Sequence, residues 1–287
     1  MDFGFENFMM AKGLRDDTMR QYRLYFDKIE LLYKSGNLNQ DNVYEFLKLY
    51  KSSLVRSALK LYFEYRGIKD LTIPKRTGSK VARKKPIMMS ENDYRMLLEV
   101  LYQYNEQIAL MVELSYECAL RRQEVCNILV KDINWEDWIV NRKTGLLTMT
   151  HTKGGKDRVV VVPSKLMNKL KDYVNASEVT GSNYLFFRGY TEKNEPIRMR
   201  KYWEVYHEAV IQLFGKKYKL HTLRSSKATD WFEKGIDIVR IQQRLGHSDI
   251  STTRLYINPD EKKEINKWRD EDDKEIMENK DGIKTMS

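Results

Sequence analysis

Two arginines, two histidines and a tyrosine spread from Arg121 to Tyr256 are the residue types that attack on a phosphodiester requires. Arg121 lies in Ala119-Leu120-Arg121-Arg122-Gln123-Glu124-Val125, His221 and Arg224 in His221-Thr222-Leu223-Arg224, His247 in Leu245-Gly246-His247, and Tyr256 in Thr252-Thr253-Arg254-Leu255-Tyr256-Ile257. The reaction must neutralise charge on the non-bridging oxygens, supply a nucleophile and protonate an alkoxide leaving group. An arginine fork offers paired N–H donors to phosphate oxygens, and two forks can do the electrostatic work that a divalent metal does elsewhere. His221 lies three residues before Arg224, so one helical turn points both the same way. The histidines can move protons. A phenol becomes a useful nucleophile only beside cations and a base. The proton donor for the leaving oxygen is best carried on a glycine-containing turn that can approach a backbone closely. Lys153 and Lys156, in Lys153-Gly154-Gly155-Lys156-Asp157, both qualify. Each residue alone has a plainer explanation: Arg121 as an ion pair with Glu117 or Glu124, the histidines as caps or core groups, Tyr256 as one of 18 tyrosines. The joint set needs neither metal nor nucleotide and points to cutting and rejoining of DNA.

The body that carries this set suits a polyanion. Its 287 residues are enough for a buried core and two domains. Net charge is +10; Asp260 to Ser287 holds ten acidic against seven basic residues, a net of −3, which leaves +13 on the rest. No run approaches the ~18 apolar residues of a membrane span, so no membrane is expected as a partner. Asp2 and Glu6 stand where a secretory signal would have a basic and then an apolar segment. Cys118 and Cys126 are expected to share a helix at i, i+8, about 12 Å apart along its axis, too far for a disulfide. They have no partners for a zinc site. No metal and no cofactor are expected, and a reducing compartment, the cytoplasm and its nucleoid, fits best.

The elements that must position these residues are mostly helical, with one small β-sheet. Met19, Tyr22, Phe26, Ile29 and Tyr33 recur on one helix face, with Asp16 or Asp17 as cap and Gly36 as stop. Asn39 caps a second helix with Val43, Phe46, Leu47 and Tyr50. A third carries Val55, Ala58, Leu59, Tyr62 and Phe63 and ends at Gly67. Together they form a helical module over residues 1–72 with a thin core. Residues 73–87 read as a basic linker. Lys75, Arg76, Lys80, Arg83, Lys84 and Lys85 are its six cations, and it has no acid among Lys75 to Pro86; such a segment can lie along phosphates. A second domain spans 88–262. Ser90 with Asp93 opens a helix through Tyr94, Leu97, Leu98 and Leu101, and another carries Ile108, Met111, Val112 and Leu114. Arg121 starts a helix running through Val125, Ile128 and Leu129. Leu146 to Thr152 and Arg158 to Val162 form a hairpin around the lysine turn. Helical patterns follow over Leu166–Val174, Tyr202–Phe214, Ser225–Lys234 and Ile238–Leu245, with Tyr256 near the end of a short helix before Asn258-Pro259. Residues 263–287 are a charged tail with sparse apolar anchors.

These stretches, in this order over about half the chain, resemble the tyrosine recombinases, also called the phage-integrase family, which includes lambda-type integrases and the Xer recombinases. The carriers are Arg121-Arg122-Gln123-Glu124, the Lys153 hairpin, His221-Thr222-Leu223-Arg224-Ser225-Ser226, Leu245-Gly246-His247-Ser248 and Tyr256. By position and size the first helices resemble the family's core-binding (SAM-like) domain, and the rest its α+β catalytic domain. The resemblance implies that Arg121 and Arg224 clamp the scissile phosphate and that Lys153 protonates the leaving 5′-oxygen. It implies that His221 assists proton transfer at Tyr256, that His247 hydrogen-bonds the phosphate, and that Tyr256 forms a 3′-phosphotyrosyl bond. Lys156 then joins the linker cations as a DNA contact. The partners implied are double-stranded DNA with specific recombination sites and further copies of the chain, as dimers and tetramers acting through a Holliday junction. The tail, with Ile265 and Trp268, would dock on a neighbouring protomer. Ser225 and Ser226 stand where the family often has His and Thr, and Arg122 adjoins Arg121, so that assignment rests on register. The short N-terminal part favours a Xer-like recombinase or a compact mobile-element integrase. A type IB topoisomerase-like relaxer and a catalytically silent DNA-binding regulator are the alternatives.

Overall fold

The computed structural model describes residues 3–75, 87–141, 143–150, 157–189, 191–215 and 218–257. The chain divides into two compact units, Met1–Arg83 and Lys84–Ser287.

Four helices build the first unit: α1 (Phe3–Ala11), α2 (Asp16–Lys34), α3 (Gln40–Leu49) and α4 (Ser53–Arg66). Apolar spacing marks the last three. α1 is apolar without a clear stripe, which hides it from periodicity, and it buries Phe5 and Met9. The Asn39 side chain accepts from the Asn42 N–H at 2.9 Å to start α3, as expected. α2 departs from expectation: Arg15 is its N-cap residue and makes no side-chain cap, so Asp16 and Asp17 are first-turn residues, where their charge suits the helix dipole. Gly67, at φ +69°, closes α4. The core is fuller than a thin one. Twelve buried apolar residues form one cluster, and Phe5 stacks on Phe26 with centroids 4.5 Å apart. Tyr33, expected on the buried face, is exposed at the rim, where its ring carries the Arg66 guanidinium at 5.2 Å.

A buried carboxylate fastens α2 to α4. Glu30 accepts from the Tyr62 hydroxyl at 2.5 Å and from Arg66 Nη2 at 2.6 Å. Burial alone would raise the Glu30 carboxyl, but the Arg66 and Tyr62 hydrogen bonds outweigh it and hold it below the ordinary range. Tyr62→Phe removes one of these bonds and should cost about 1 kcal/mol in urea unfolding. Arg66→Ala leaves a buried charge short of its main partner and should cost more; the reverse order would contradict this reading of the joint.

In the second unit the elements run α5 (Glu91–Tyr104), α6 (Glu106–Glu117), α7 (Arg122–Cys126), β1 (Ile133–Asn134), α8 (Trp135–Asn141), β2 (Thr144–Met149), β3 (Arg158–Pro163), α9 (Ser164–Ser177), α10 (Met199–Phe214), α11 (Leu220–Glu233), α12 (Ile238–Leu245) and α13 (Ile250–Arg254). α6 is buried on every side from Ile108 to Tyr116, as a helix without a polar face must be. It packs against α5, α9, α10 and α11. Its Ser115 hydroxyl lies 2.7 Å from that of Tyr202. The sheet has order β1-β2-β3 and is antiparallel throughout, with Met149 opposite Arg158 and Thr144 opposite Pro163. The expected hairpin strands are thus paired, while Lys153 and Lys156 at its turn lie outside the described residues. β1 is two residues long, too short to leave a pattern, and neither it nor α8 is expected from the sequence.

Three further expectations change. Cys118 caps the C-terminus of α6 and Cys126 ends α7, so the two thiols are on different helices; both are free and buried. α7 stops at Cys126, leaving Ile128 and Leu129 beyond it. The Ile128 carbonyl instead accepts from the Leu185 N–H at 2.8 Å. α11 begins at Leu220, five residues before the apolar pattern does, because the face it buries there holds Thr222, Arg224, Ser225 and Ser226. A buried polar face is invisible to hydrophobic periodicity.

Candidate active site

Arg224 is the centre of the site. It lies on α11 with its side chain 1% exposed. Its Nη1 donates to the Ala119 carbonyl, and its Nη2 donates to the Leu245 carbonyl at 2.6 Å. Both acceptors depend on left-handed backbone nearby. Ala119 has φ +51° between α6 and α7, which a non-glycine residue adopts at a cost. Gly246, after Leu245, has φ +62°. A Cβ on Gly246 would also lie 3.1 Å from Arg158 Cδ. Only glycine meets both demands at once.

Arg121 precedes α7 and joins the same group. Its N–H donates to Glu124 Oε2 at 2.8 Å and its Nη1 to Glu124 Oε1 at 2.8 Å, while its Nη2 reaches the Gly246 carbonyl at 3.3 Å. Arg122, next to it, is exposed. Glu124 is 2% exposed and bridges three cations: Arg121, Arg158 through a two-bond fork at 2.9 and 2.8 Å, and Arg224 at 3.8 Å. Burial would raise its carboxyl, but the Arg158 hydrogen bonds and charge, then the Arg121 amide and the Arg224 charge, hold it down at about 2. Three guanidinia against one carboxylate leave the cluster at +2.

The loop from α12 to α13 brings in His247. Its Nε2 lies 3.2 Å from Arg224 Nη2, and its Nδ1 lies 3.0 Å from Thr253 Oγ1. A guanidinium has no acceptor, so Nε2 accepts and the ring is neutral, with its proton on Nδ1. Burial, then the charges of Arg224 and Arg121, push His247 down to about 4, which agrees. Tyr256 follows α13, where its N–H donates to the Thr253 carbonyl at 2.9 Å and its carbonyl accepts from Thr229 Oγ1 at 3.2 Å. Its half-buried ring sits edge-on to His221 and His247, with centroids 4.9 and 4.8 Å away, and the Arg224 guanidinium carbon is 5.8 Å from the ring centre.

The five residues singled out by type and order, Arg121, His221, Arg224, His247 and Tyr256, are therefore brought together within one chain. His221 is exposed on α11. Lys75 is exposed in the first unit. Arg76, Lys80, Arg83, Lys84, Lys85, Lys153, Lys156 and the tail anchors Ile265 and Trp268 lie outside the described residues. Among the described residues, no three His, Cys, Asp or Glu side chains group as a metal site would need. Sequence reasoning missed Ala119, Arg158 and Thr253, and took Glu124 only as a surface partner of Arg121. Its capping distance from Arg121 was a usable signal; Arg158, one basic residue beside a turn, carried none.

His247 should make the protein acid-sensitive. Its pKa is lower folded than unfolded, so the unfolded chain takes up the proton first and stability falls as pH drops from about 6.5 to about 4. Thermal unfolding across that window should show a steeper loss for the wild type than for His247→Gln, and parallel curves would contradict the assignment. Gly246→Ala should destabilise by about 1–2 kcal/mol, since it adds strain at positive φ and displaces Arg158. A neutral effect in the same assay would show that the turn relaxes.

Comparison with known proteins gives the site a family. Residues 88–263 match the phage integrase family. Tyrosine recombinase XerA of Pyrococcus furiosus is 30% identical over 260 residues, covering 88% of this chain and 87% of that protein. The fold is similar to that of XerH site-specific recombinase in a post-cleavage complex with palindromic difH substrate, at a TM-score of 0.64 and 20% identity over 85% of this chain and 75% of that one. It is similar to a lambda integrase tetramer bound to a Holliday junction, at a TM-score of 0.64 and 17% identity over 88% of this chain and 75% of that one. No helix among the described residues is long and apolar enough to cross a membrane. By family match and by relatives along most of its length, the chain belongs to the phage integrase family, among its Xer-like tyrosine recombinases.

Proposed function

We propose that this chain is a site-specific DNA recombinase that cuts and rejoins strands through Tyr256, without metal or ATP. The observation that carries this reading is the seating of the Tyr256 ring between His221 and His247, beside the +2 arginine cluster. A phosphodiester carries one negative charge, and the five-coordinate transition state of attack by a phenolate carries two. A fixed +2 cluster therefore favours the transition state over the ground state, which is the condition for catalysis. Arg121 and Arg224 clamp the scissile phosphate. His221 takes the phenol proton, and Tyr256 attacks phosphorus to form a 3′-phosphotyrosyl bond. Lys153 gives a proton to the leaving 5′-oxygen, and Lys156 contacts the backbone nearby. A 5′-hydroxyl from the partner strand then reverses the step. The phosphoester energy stays in the covalent link throughout.

His247 hydrogen-bonds the phosphate in this scheme. Its Nε2 must then carry a proton, whereas in the free protein it accepts from Arg224. Phosphate binding supplies the negative charge that favours this. DNA binding near pH 6 should therefore take up protons, an uptake reduced in His247→Gln, as read from calorimetry in buffers of different ionisation enthalpy.

The first unit acts as the core-binding domain over residues 1–72. The linker cations Lys75, Arg76, Lys80, Arg83, Lys84 and Lys85 follow the phosphates. Recombination needs four protomers on two sites, and the tail over 263–287 docks on a neighbour. The XerH recombinase bound to its palindromic difH substrate and the lambda integrase tetramer bound to a Holliday junction support this arrangement by similarity of fold. The nucleoid is the compartment where such substrates lie.

A nicked suicide substrate tests the reading. The wild type should give an SDS-resistant adduct, and Tyr256→Phe none. Arg121→Ala and Arg224→Ala should each slow cleavage by roughly 100-fold or more with DNA binding largely kept. Adduct formation at the wild-type rate by either arginine variant would refute the clamp. Lack of any wild-type adduct would leave a DNA-binding regulator, and an adduct without strand exchange a relaxer.

A further inference from the structure

Arg158, outside the five, is joined to the site by two bonds to Glu124. It opens β3, the strand that leaves the lysine turn. Both of its terminal nitrogens are committed to Glu124, at 2.9 and 2.8 Å, and the side chain is 11% exposed. A fork on a carboxylate fixes two atoms against two and cannot be made by lysine. Its stem meanwhile fills the space beside Gly246 that a side chain there would need. Arg121 is held by the same two partners, Glu124 and the Gly246 carbonyl.

We propose that Arg158 is a positioning residue for DNA cleavage, which takes the two-bond share of Glu124 and braces the Gly246 turn so that Glu124 draws Arg121 and Arg224 no further from the scissile phosphate. The reasoning is one of competition. Glu124 is a buried carboxylate within reach of both clamp arginines. With Arg158 in place, its charge is neutralised by a cation that does not serve the clamp. Without it, the carboxylate turns to Arg121 and Arg224, and the cluster drops from +2 to +1. The start of α7, the root of β3 and the turn after α12 would also lose a side chain that links them. The inference rests on the proposed cleavage reaction.

The test uses the full chain, the nicked suicide substrate, and the variants Arg158→Gln, Arg158→Lys and Glu124→Gln. Arg158→Gln should slow adduct formation on the order of 10- to 100-fold. The salt dependence of DNA binding should be unchanged, since no phosphate contact is lost; a slope reduced by about 1 would mean that Arg158 touches phosphate itself and would overturn the proposal. The pH profile gives a readout that simple loss of packing would not move. The groups facing Glu124 are Arg158 from β3, Arg121 at the start of α7 and Arg224 from α11, with His247 beyond Arg224. Arg158 contributes most to keeping Glu124 ionised, so cleavage by Arg158→Gln should fall on mild acidification where the wild type is flatter. Adding Glu124→Gln should abolish that difference, and the double variant should be no slower than Glu124→Gln alone. Additive losses would overturn the proposal. Should Arg158→Gln fail to fold, Arg158→Lys decides: it keeps the charge, loses the fork, and should cleave more slowly than wild type. A wild-type rate from either variant overturns the inference while the cleavage reading stands; absence of a wild-type adduct overturns the reading itself.

Discussion

The burial of one guanidinium organises this protein. Removing Arg224 from water to 1% exposure carries a desolvation cost that only close polar partners can offset. Those partners come from three separate places: the Ala119 carbonyl ahead of α7, the Leu245 carbonyl at the end of α12, and Glu124 on α7. Holding α11 against these partners is the work of the catalytic unit's architecture. α6, buried on all sides, carries Ala119 at its end and packs against α11. The left-handed turns at Ala119 and Gly246 are the backbone consequence, since each aims a carbonyl or a neighbour at the same cation.

The cluster is also built to repel itself. Burial and the charge of Arg121 both lower the affinity of Arg224 for its proton, and the same cations push His247 down to about 4. An anion placed between the guanidinia relieves all of these at once. The repulsion is carried by the fold, so the donors need little rearrangement when charge develops on phosphorus. The site is organised by electrostatics: imidazoles around the phenol, net positive charge beside it, and one internal carboxylate bonded to Arg158.

Legibility in the sequence followed the physics of each element. Helices with one apolar face and a polar one, such as α3 and α4, could be read with a cap because burial there is purely hydrophobic. The pairing of β2 with β3 was legible from β-branched runs about a glycine turn. The first turn of α11 was not, because Thr222, Arg224, Ser225 and Ser226 are buried for their polar contacts. α1 lacked an apolar stripe, and β1 was too short to show alternation. The five candidate residues were legible because chemistry restricts their types. Ala119, Thr253 and Arg158 were not, because what they supply is a carbonyl direction, a hydroxyl for one imidazole nitrogen and a partner for one carboxylate. Many residues could supply these elsewhere, so only coordinates reveal them.

The central claim is that the guanidinia of Arg121 and Arg224 and the phenol of Tyr256 address a single phosphorus atom. A structure with nicked DNA and orthovanadate, which adopts the five-coordinate geometry of the transition state, tests it most directly. The account expects vanadium bonded to Tyr256 Oη, with both arginine forks and His247 Nε2 within hydrogen-bond distance, about 3 Å, of its equatorial oxygens. Vanadate bound away from Tyr256, or held by only one of the two arginines, would contradict it.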